Sequence, residues 1–299
     1  MKLIELLEQS ANRLDASDCY YGHGTATPED EALYIVVEAL GLHYATVHES
    51  FDKVISSEQV KLVDDLIARR INERIPAAYI LGIAYFAGLR FFIDERALVP
   101  RSPIAELIQN RFAPWYEGPA TGAHILDMCT GSGCIGIAAA QYFEHSEAIL
   151  CDISYEALNL ARKNVEYHKM GDRIRLVEGD GIGALKQAST KEPDPRFDLV
   201  LCNPPYVDDD DLSSMPAEYH HEPALGLGSG HDGLDFTREF LRAVLKYIHQ
   251  HTLIVLELGN SIEAFAAAYP QLNFVLPDLE QGGHGVALIY GKDLLSEAL

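Results

Sequence analysis

An apolar run, Leu199-Val200-Leu201-Cys202, is followed directly by Asn203-Pro204-Pro205-Tyr206. Two successive prolines fix φ and hold the chain extended, so the backbone carbonyls there point in set directions. The Asn203 side-chain oxygen adds another acceptor. Together with the Pro204 carbonyl it can accept both N–H bonds of a planar amide, with Tyr206 packed against the plane. An amide nitrogen is a poor nucleophile because its lone pair is delocalised. A site that orients it towards an electrophilic methyl group supplies what it lacks. No general base is obvious, and none is required before transfer, because the proton becomes acidic once the nitrogen is alkylated. The sequence therefore nominates Asn203, Pro204 and Tyr206 for catalysis and the whole tetrapeptide, Pro205 included, for holding the substrate. A plain strand-ending turn is the bland alternative.

A second motif, Asp127-Met128-Cys129-Thr130-Gly131-Ser132-Gly133, follows an apolar strand pattern and precedes a helical one. This is the setting of a nucleotide-binding glycine loop, where glycines permit a tight turn and close approach of backbone to ligand. Asp127, Cys129, Thr130, Gly131 and Gly133 are its candidate cofactor contacts. Asp152 lies about twenty residues after Gly133, at the end of the next strand pattern, where a carboxylate can accept from both ribose hydroxyls. Capping of the following helix is its ordinary alternative. Asp180 ends the third strand pattern and could hold an adenine amino group, or merely cap a helix. The loop and Asp152 alone fit a dehydrogenase as well as a methyltransferase. Cys129 stands where the full Gly-x-Gly-x-x-Gly spacing would place a glycine, which favours a donor without a pyrophosphate. With the proline motif downstream, S-adenosylmethionine is the expected cofactor, leaving as S-adenosylhomocysteine, and Asn203 sits at the meeting of donor and acceptor.

These residues must be positioned by a sheet. Strand patterns at 124–128, 148–151, 173–177, 199–202, 253–257, 273–277 and 285–290 alternate with helical patterns at 134–143, 155–167, 236–249 and 262–269. That alternation implies a mostly parallel, doubly wound α/β sheet, with ligands at the carboxyl ends of its strands. The last two strands have no helical pattern between them and should form an antiparallel hairpin. Residues 1–76 instead show apolar positions at helical spacing. Thr27-Pro28-Glu29-Asp30 and Ser56-Ser57-Glu58 are helix starts, and Gly41 is a stop. The aromatic stretch 79–99 reads as a hairpin whose rings pack rather than bind. The expected division is a helical segment 1–76, a linker 77–110 and a catalytic segment 111–299.

The formal net charge of −22 argues against charge-driven binding to nucleic acid and is compatible with a basic protein partner. No apolar run approaches the roughly 18 residues of a membrane helix, and the N-terminus lacks the pattern of a signal peptide, so a cytoplasmic protein is expected. Five cysteines without a Cys-x-x-Cys pair suggest reduced, mostly buried thiols, with neither disulfides nor zinc. His220, His221 and His231 match no ligand spacing, and no metal is expected. Asp208-Asp209-Asp210-Asp211 reads as a solvated loop.

The chain resembles the HemK-type protein-glutamine N5-methyltransferases. The resemblance is carried by residues 79–92, by Val99-Pro100-Arg101-Ser102-Pro103-Ile104-Ala105-Glu106-Leu107-Ile108, by the glycine loop and Asp152-Ile153-Ser154, by Asn203–Tyr206, and by His221-Glu222-Pro223-Ala224-Leu225-Gly226-Leu227 leading to Asp232-Gly233-Leu234. Within the family, Arg101-Ser102-Pro103-Ile104-Ala105-Glu106 is similar to the branch acting on ribosomal protein L(3); the branch acting on peptide-chain release factors is the alternative. The resemblance implies a helical N-terminal domain that selects substrate, a Rossmann-like class I methyltransferase domain with a seven-stranded sheet, and a glutamine amide held by Asn203 and Pro204. A nucleic-acid amino methyltransferase would use the same Asn-Pro-Pro-aromatic device on an unstacked base. One departure is Gly181, where a larger apolar or aromatic side chain is expected after Asp180; it leaves the adenine contact there open.

Overall fold

A computed structural model describes residues 1–188 and 196–297. The N-terminal segment forms three principal helices, α1 (Leu3–Asp15), α2 (Pro28–Leu40) and α3 (Ser57–Glu73). Their boundaries follow from local chemistry. Thr27 Oγ1 accepts from the Asp30 N–H at 3.1 Å, Pro28 opens α2, and Gly41 ends it in the left-handed region with φ 61°. Ser56 and Gln59 cap α3 reciprocally. Leu3, Leu6, Leu14, Ile35, Val36, Val63 and Ile67 are fully buried between the helices.

A short helix, α4 (Ala77–Leu81), leads into a hairpin of β1 (Ile83–Phe86) and β2 (Leu89–Phe92). Its turn residues, Ala87 and Gly88, both have positive φ, as a two-residue hairpin turn requires. Tyr79 belongs to α4 rather than to the hairpin, and Phe91 is fully buried.

After α5 (Ile104–Gln109) the chain alternates β3 (His124–Met128), α6 (Cys134–Tyr142), β4 (Glu147–Asp152), α7 (Tyr155–Tyr167), β5 (Ile174–Glu178), α8 (Gly181–Ala188) and β6 (Phe197–Cys202). The remainder adds α9 (Asp209–Ser214), α10 (Asp235–Val244), β7 (Ile248–Glu257), α11 (Ile262–Ala268), β8 (Val286–Tyr290) and α12 (Gly291–Ser296). The sheet order is β5-β4-β3-β6-β7-β8, parallel except for β8. The order reverses between β3 and β6, so their carboxyl ends form the switch point where a doubly wound sheet takes its ligand. Apolar clusters pack both faces.

Several expectations are corrected. Among the described residues six strands form the main sheet, not seven. Residues 273–277 pair only at Val275, which forms one antiparallel bridge to Leu288, while β8 pairs along its length with β7. Pro277 lacks the N–H to continue such a ladder. Helix α10 stops at Val244, and β7 begins at Ile248, earlier than expected: its first residues after Ile248, His249-Gln250-His251, are polar and partly exposed, and the continuously buried stretch starts at Thr252. Asp209–Ser214 is a short exposed helix rather than a loop, with Asp208 as its cap and three acids in its first turn, where the helix dipole favours them. Among the described residues no helix is long and apolar enough to cross a membrane.

Candidate active site

The loop after β3 crosses the switch point in an irregular conformation. Cys129, Gly131 and Gly133 have φ of 60°, 54° and 82°. Glycine enters this region freely, but a residue with a Cβ is strained by roughly 1–2 kcal/mol, so Cys129 is held there by its surroundings. Asp127 does much of that holding. It is fully buried, and its Oδ2 accepts from the Thr130 hydroxyl and from the Gly136 N–H at 2.9 Å. Burial pushes its carboxyl up to about 7, against the pull of those two hydrogen bonds. Its Oδ1 has no partner.

Asp152, at the end of β4, is tied to the same loop. Its Oδ2 accepts from the Gly131 N–H at 2.8 Å and its Oδ1 from the Ser154 N–H at 2.9 Å. Ser154, not Asp152, caps α7. Each Asp152 oxygen therefore keeps a lone pair. Burial raises its pKa, although the backbone donors favour the charged form. Asp180 does cap a helix: its Oδ1 accepts from the Gly183 N–H at 2.7 Å.

These elements enclose a cavity of about 310 Å³. Cys129, Thr130, Gly131, Asp152, Asp180, Asn203, Pro205 and Tyr206 all lie on its wall. Asp127, Gly133 and Pro204 do not; Asp127 and Gly133 support the loop from behind, and Pro204 is buried beneath the turn after β6. Asn203 is half-buried, and no described residue hydrogen-bonds its side-chain amide. A second cavity of about 280 Å³ adjoins the first and shares Leu98, Arg101, Tyr206, Gly226 and Glu257 with it.

Glu257 is a site residue that motif reading missed. It ends β7, is 4% exposed and lines both cavities. It accepts from the Tyr206 hydroxyl at 3.1 Å and from Ser102 Oγ at 2.5 Å, and burial raises its pKa despite them. Ser261 Oγ donates to the Tyr206 carbonyl at 2.8 Å, so Tyr206 is fixed at both ends. A carboxylate at the carboxyl end of a buried parallel strand was the available signal. Glu222 was also missed. Arg101 grips it through two bonds of 2.6 and 2.8 Å, and His23 stands 3.5 Å away. Burial alone would raise its pKa, but the hydrogen bonds and charge of these neighbours hold it down at about 2.

The thiols near the loop are kept protonated. A hydrogen bond with Cys202, then burial, raises Cys129 well above its ordinary value, and burial pushes Cys134 up to about 12. Neither serves as a nucleophile in that state.

The fold and this cavity define a Rossmann-like methyltransferase. The family model described as "Methyltransferase small domain" matches residues 115–219, and the model described as "PrmC N-terminal domain" matches residues 5–82. A ribosomal protein uL3 glutamine methyltransferase from Francisella tularensis is 38% identical over 97% of this chain and 90% of its own length. One from Bordetella pertussis is 39% identical over 98% and 96%. The hMettl16 catalytic domain, solved with an RNA hairpin, shares the fold with a TM-score of 0.50 at 14% identity, over 78% of this chain and 80% of its own. The chain belongs to the HemK-type protein-glutamine methyltransferase family, and the methyl donor of such a domain is of the S-adenosylmethionine type.

Proposed function

We propose that this protein transfers the methyl group of S-adenosylmethionine to the side-chain amide nitrogen of a glutamine in ribosomal protein uL3. The observation that carries the reading is Asn203 on the wall of the first cavity with its side-chain amide unengaged, near Tyr206, which lines both cavities. The near full-length relatedness to two uL3 glutamine methyltransferases supports the choice of protein.

The cavity suits the donor. Its volume is at the lower end of the range for small-molecule pockets. Asp152 has lone pairs free for two ribose hydroxyls, and the second carboxylate oxygen of Asp180, which takes no part in the helix cap, would accept from the purine amino group. Cys129, Thr130, Gly131 and Gly133 shape the loop around the remainder, with Asp127 behind them. When bound, the donor supplies an electrophilic methyl carbon on a positively charged sulfur.

The chain's own part is orientation. The Asn203 side-chain oxygen accepts one amide N–H bond and turns the nitrogen towards the methyl; the Pro204 carbonyl is the second acceptor in this reading, although Pro204 lies behind the cavity wall, and it serves only where the amide reaches past that wall. Pro205 keeps these acceptors fixed, and Tyr206, held by Glu257 and Ser261, packs on the amide plane. The glutamine side chain comes through the second cavity, past Arg101 and Glu257. In this reading residues 1–76 select the protein, 77–110 link, and 111–299 perform the transfer. The net charge of −22 and the acidic first turn of α9, whose Asp211 lines the second cavity, favour a basic partner.

The test is incubation with labelled S-adenosylmethionine and a cell extract lacking this enzyme. Label on uL3 is expected. Label on a release factor would redirect the substrate, and label on RNA or DNA would overturn the reading.

A further inference from the structure

Beyond Asp152 the cavity is closed by the turn Gly179-Asp180-Gly181 and by Phe236, Glu239 and Phe240 of α10, all of which line it. Gly181 brings no side chain to that wall. Its backbone lies outside the left-handed region, so a side chain there is not barred by φ. What it would meet is Phe236: an ideal Cβ on Gly181 would stand 3.3 Å from Cε2 and 3.4 Å from Cζ of that ring. A side chain larger than a methyl group would therefore have to displace the ring or turn away from it.

The Phe236 ring is well fixed. It stacks on Phe240 at 5.9 Å between centroids and 16° between planes. Its backbone N–H donates to Ser229 Oγ at 3.2 Å. Phe240 and Leu241 anchor α10 in the core, yet Phe236 itself is only half-buried and so keeps surface open to the cavity. Ile153, next to Asp152, lines the same cavity and is 54% exposed. This end thus sets apolar and aromatic surface beside the carboxylates of Asp152, Asp180 and Glu239, which can take hydroxyl and amino hydrogens.

We infer that Phe236 is the aromatic contact for the purine of the methyl donor, filling from α10 the place that Gly181 leaves empty. The inference rests on the reading of this cavity as an S-adenosylmethionine site. A purine has an apolar face and polar edges, and an aromatic ring fixed against one face rewards it without ordering cost at binding. Replacing a base-stacking aromatic by alanine costs roughly 5- to 150-fold in affinity.

Calorimetry with S-adenosylhomocysteine on full-length proteins tests this, with thermal unfolding of each free protein as a check on folding. Phe236→Ala is expected to weaken binding by about tenfold or more, and Phe236→Leu, which keeps apolar bulk without a ring, by less. Gly181→Trp alone should also weaken it, by collision with the ring. The double variant Gly181→Trp/Phe236→Ala should recover much of the loss, because one aromatic replaces the other. The KM for the donor should follow these changes, and the KM for the protein substrate should not. Wild-type affinity in Phe236→Ala, or losses that simply add in the double variant, would overturn the inference. No binding by the wild type would overturn the underlying reading, and this inference with it.

Discussion

Arg70 Nη1 donates to Glu218 Oε1 across 2.9 Å, with both side chains buried. The pair joins α3 to the segment that follows the Asn203–Tyr206 turn. Arg74 adds bonds of 2.7 and 2.9 Å to the same carboxylate, the Tyr20 N–H adds another, and Arg70 also holds Glu31 at 2.7 Å. The helical segment is therefore bonded into the catalytic half.

Breaking a buried pair by removing one partner costs about 3–5 kcal/mol, because the other charge is stranded. Arg70→Ala should lower the thermal midpoint accordingly. Deleting residues 1–76 removes Arg70, Arg74 and Tyr20 together. The expected outcome is loss of protein methylation with a lowered midpoint, and Glu218→Ala in the deleted chain should recover part of that stability. A deletion with the wild-type midpoint would show that the junction contributes nothing.

Asn203→Ala should reduce turnover by roughly 10²–10³, the scale of a lost transition-state group, with S-adenosylhomocysteine affinity little changed. Asp152→Ala should do the reverse and weaken cofactor binding first. Calorimetry and steady-state kinetics on both variants separate the roles. Equal affinity in Asp152→Ala and wild type would remove the ribose assignment.

Stability should vary with pH in two opposed ways. Glu218 and Glu222 are both held down at about 2, Glu218 by Arg74, the Tyr20 N–H and Arg70 against the opposing effect of burial. Their contribution is present above the unfolded glutamate value of about 4.3 and is lost as pH falls towards 2. Asp127, raised by burial to about 7, keeps its proton longer in the folded state. Its contribution is full below the unfolded aspartate value of about 3.9 and declines as pH rises through 7. The free protein should accordingly be most stable in mildly acid solution. Glu218→Gln should flatten the acid limb and Asp127→Asn the other. A midpoint that rises steadily from about pH 5 to about pH 8 would contradict the burial of Asp127.

What was legible in the sequence was local. The caps at Thr27 and Ser56, the stop at Gly41 and the parallel strands through β7 follow from spacing and turn chemistry. The glycine loop, Asp152 and the turn after β6 announced themselves by following strand patterns, and the structure brings most of them to one wall. What was not legible depends on distant partners. Tyr206 and Glu257 are 51 positions apart, and Arg70 and Glu218 are 148 apart. Nothing near Phe236 in the sequence shows that Gly181 faces it. The edge segment 273–277 misled for a related reason: its apolar pattern is real, but Phe274 and Val275 pack against the core clusters while only Val275 joins the sheet.

The central claim is that the methyl goes to an amide nitrogen of glutamine. The most direct measurement uses purified uL3, this enzyme and S-adenosylmethionine labelled in the methyl group. Tandem mass spectrometry locates the modified residue, and acid hydrolysis then frees what the nitrogen carries. A single methyl on one glutamine, released as labelled methylamine, is the predicted result. Label on lysine, arginine or a chain terminus, or label that acid hydrolysis leaves attached to an amino acid, would contradict it.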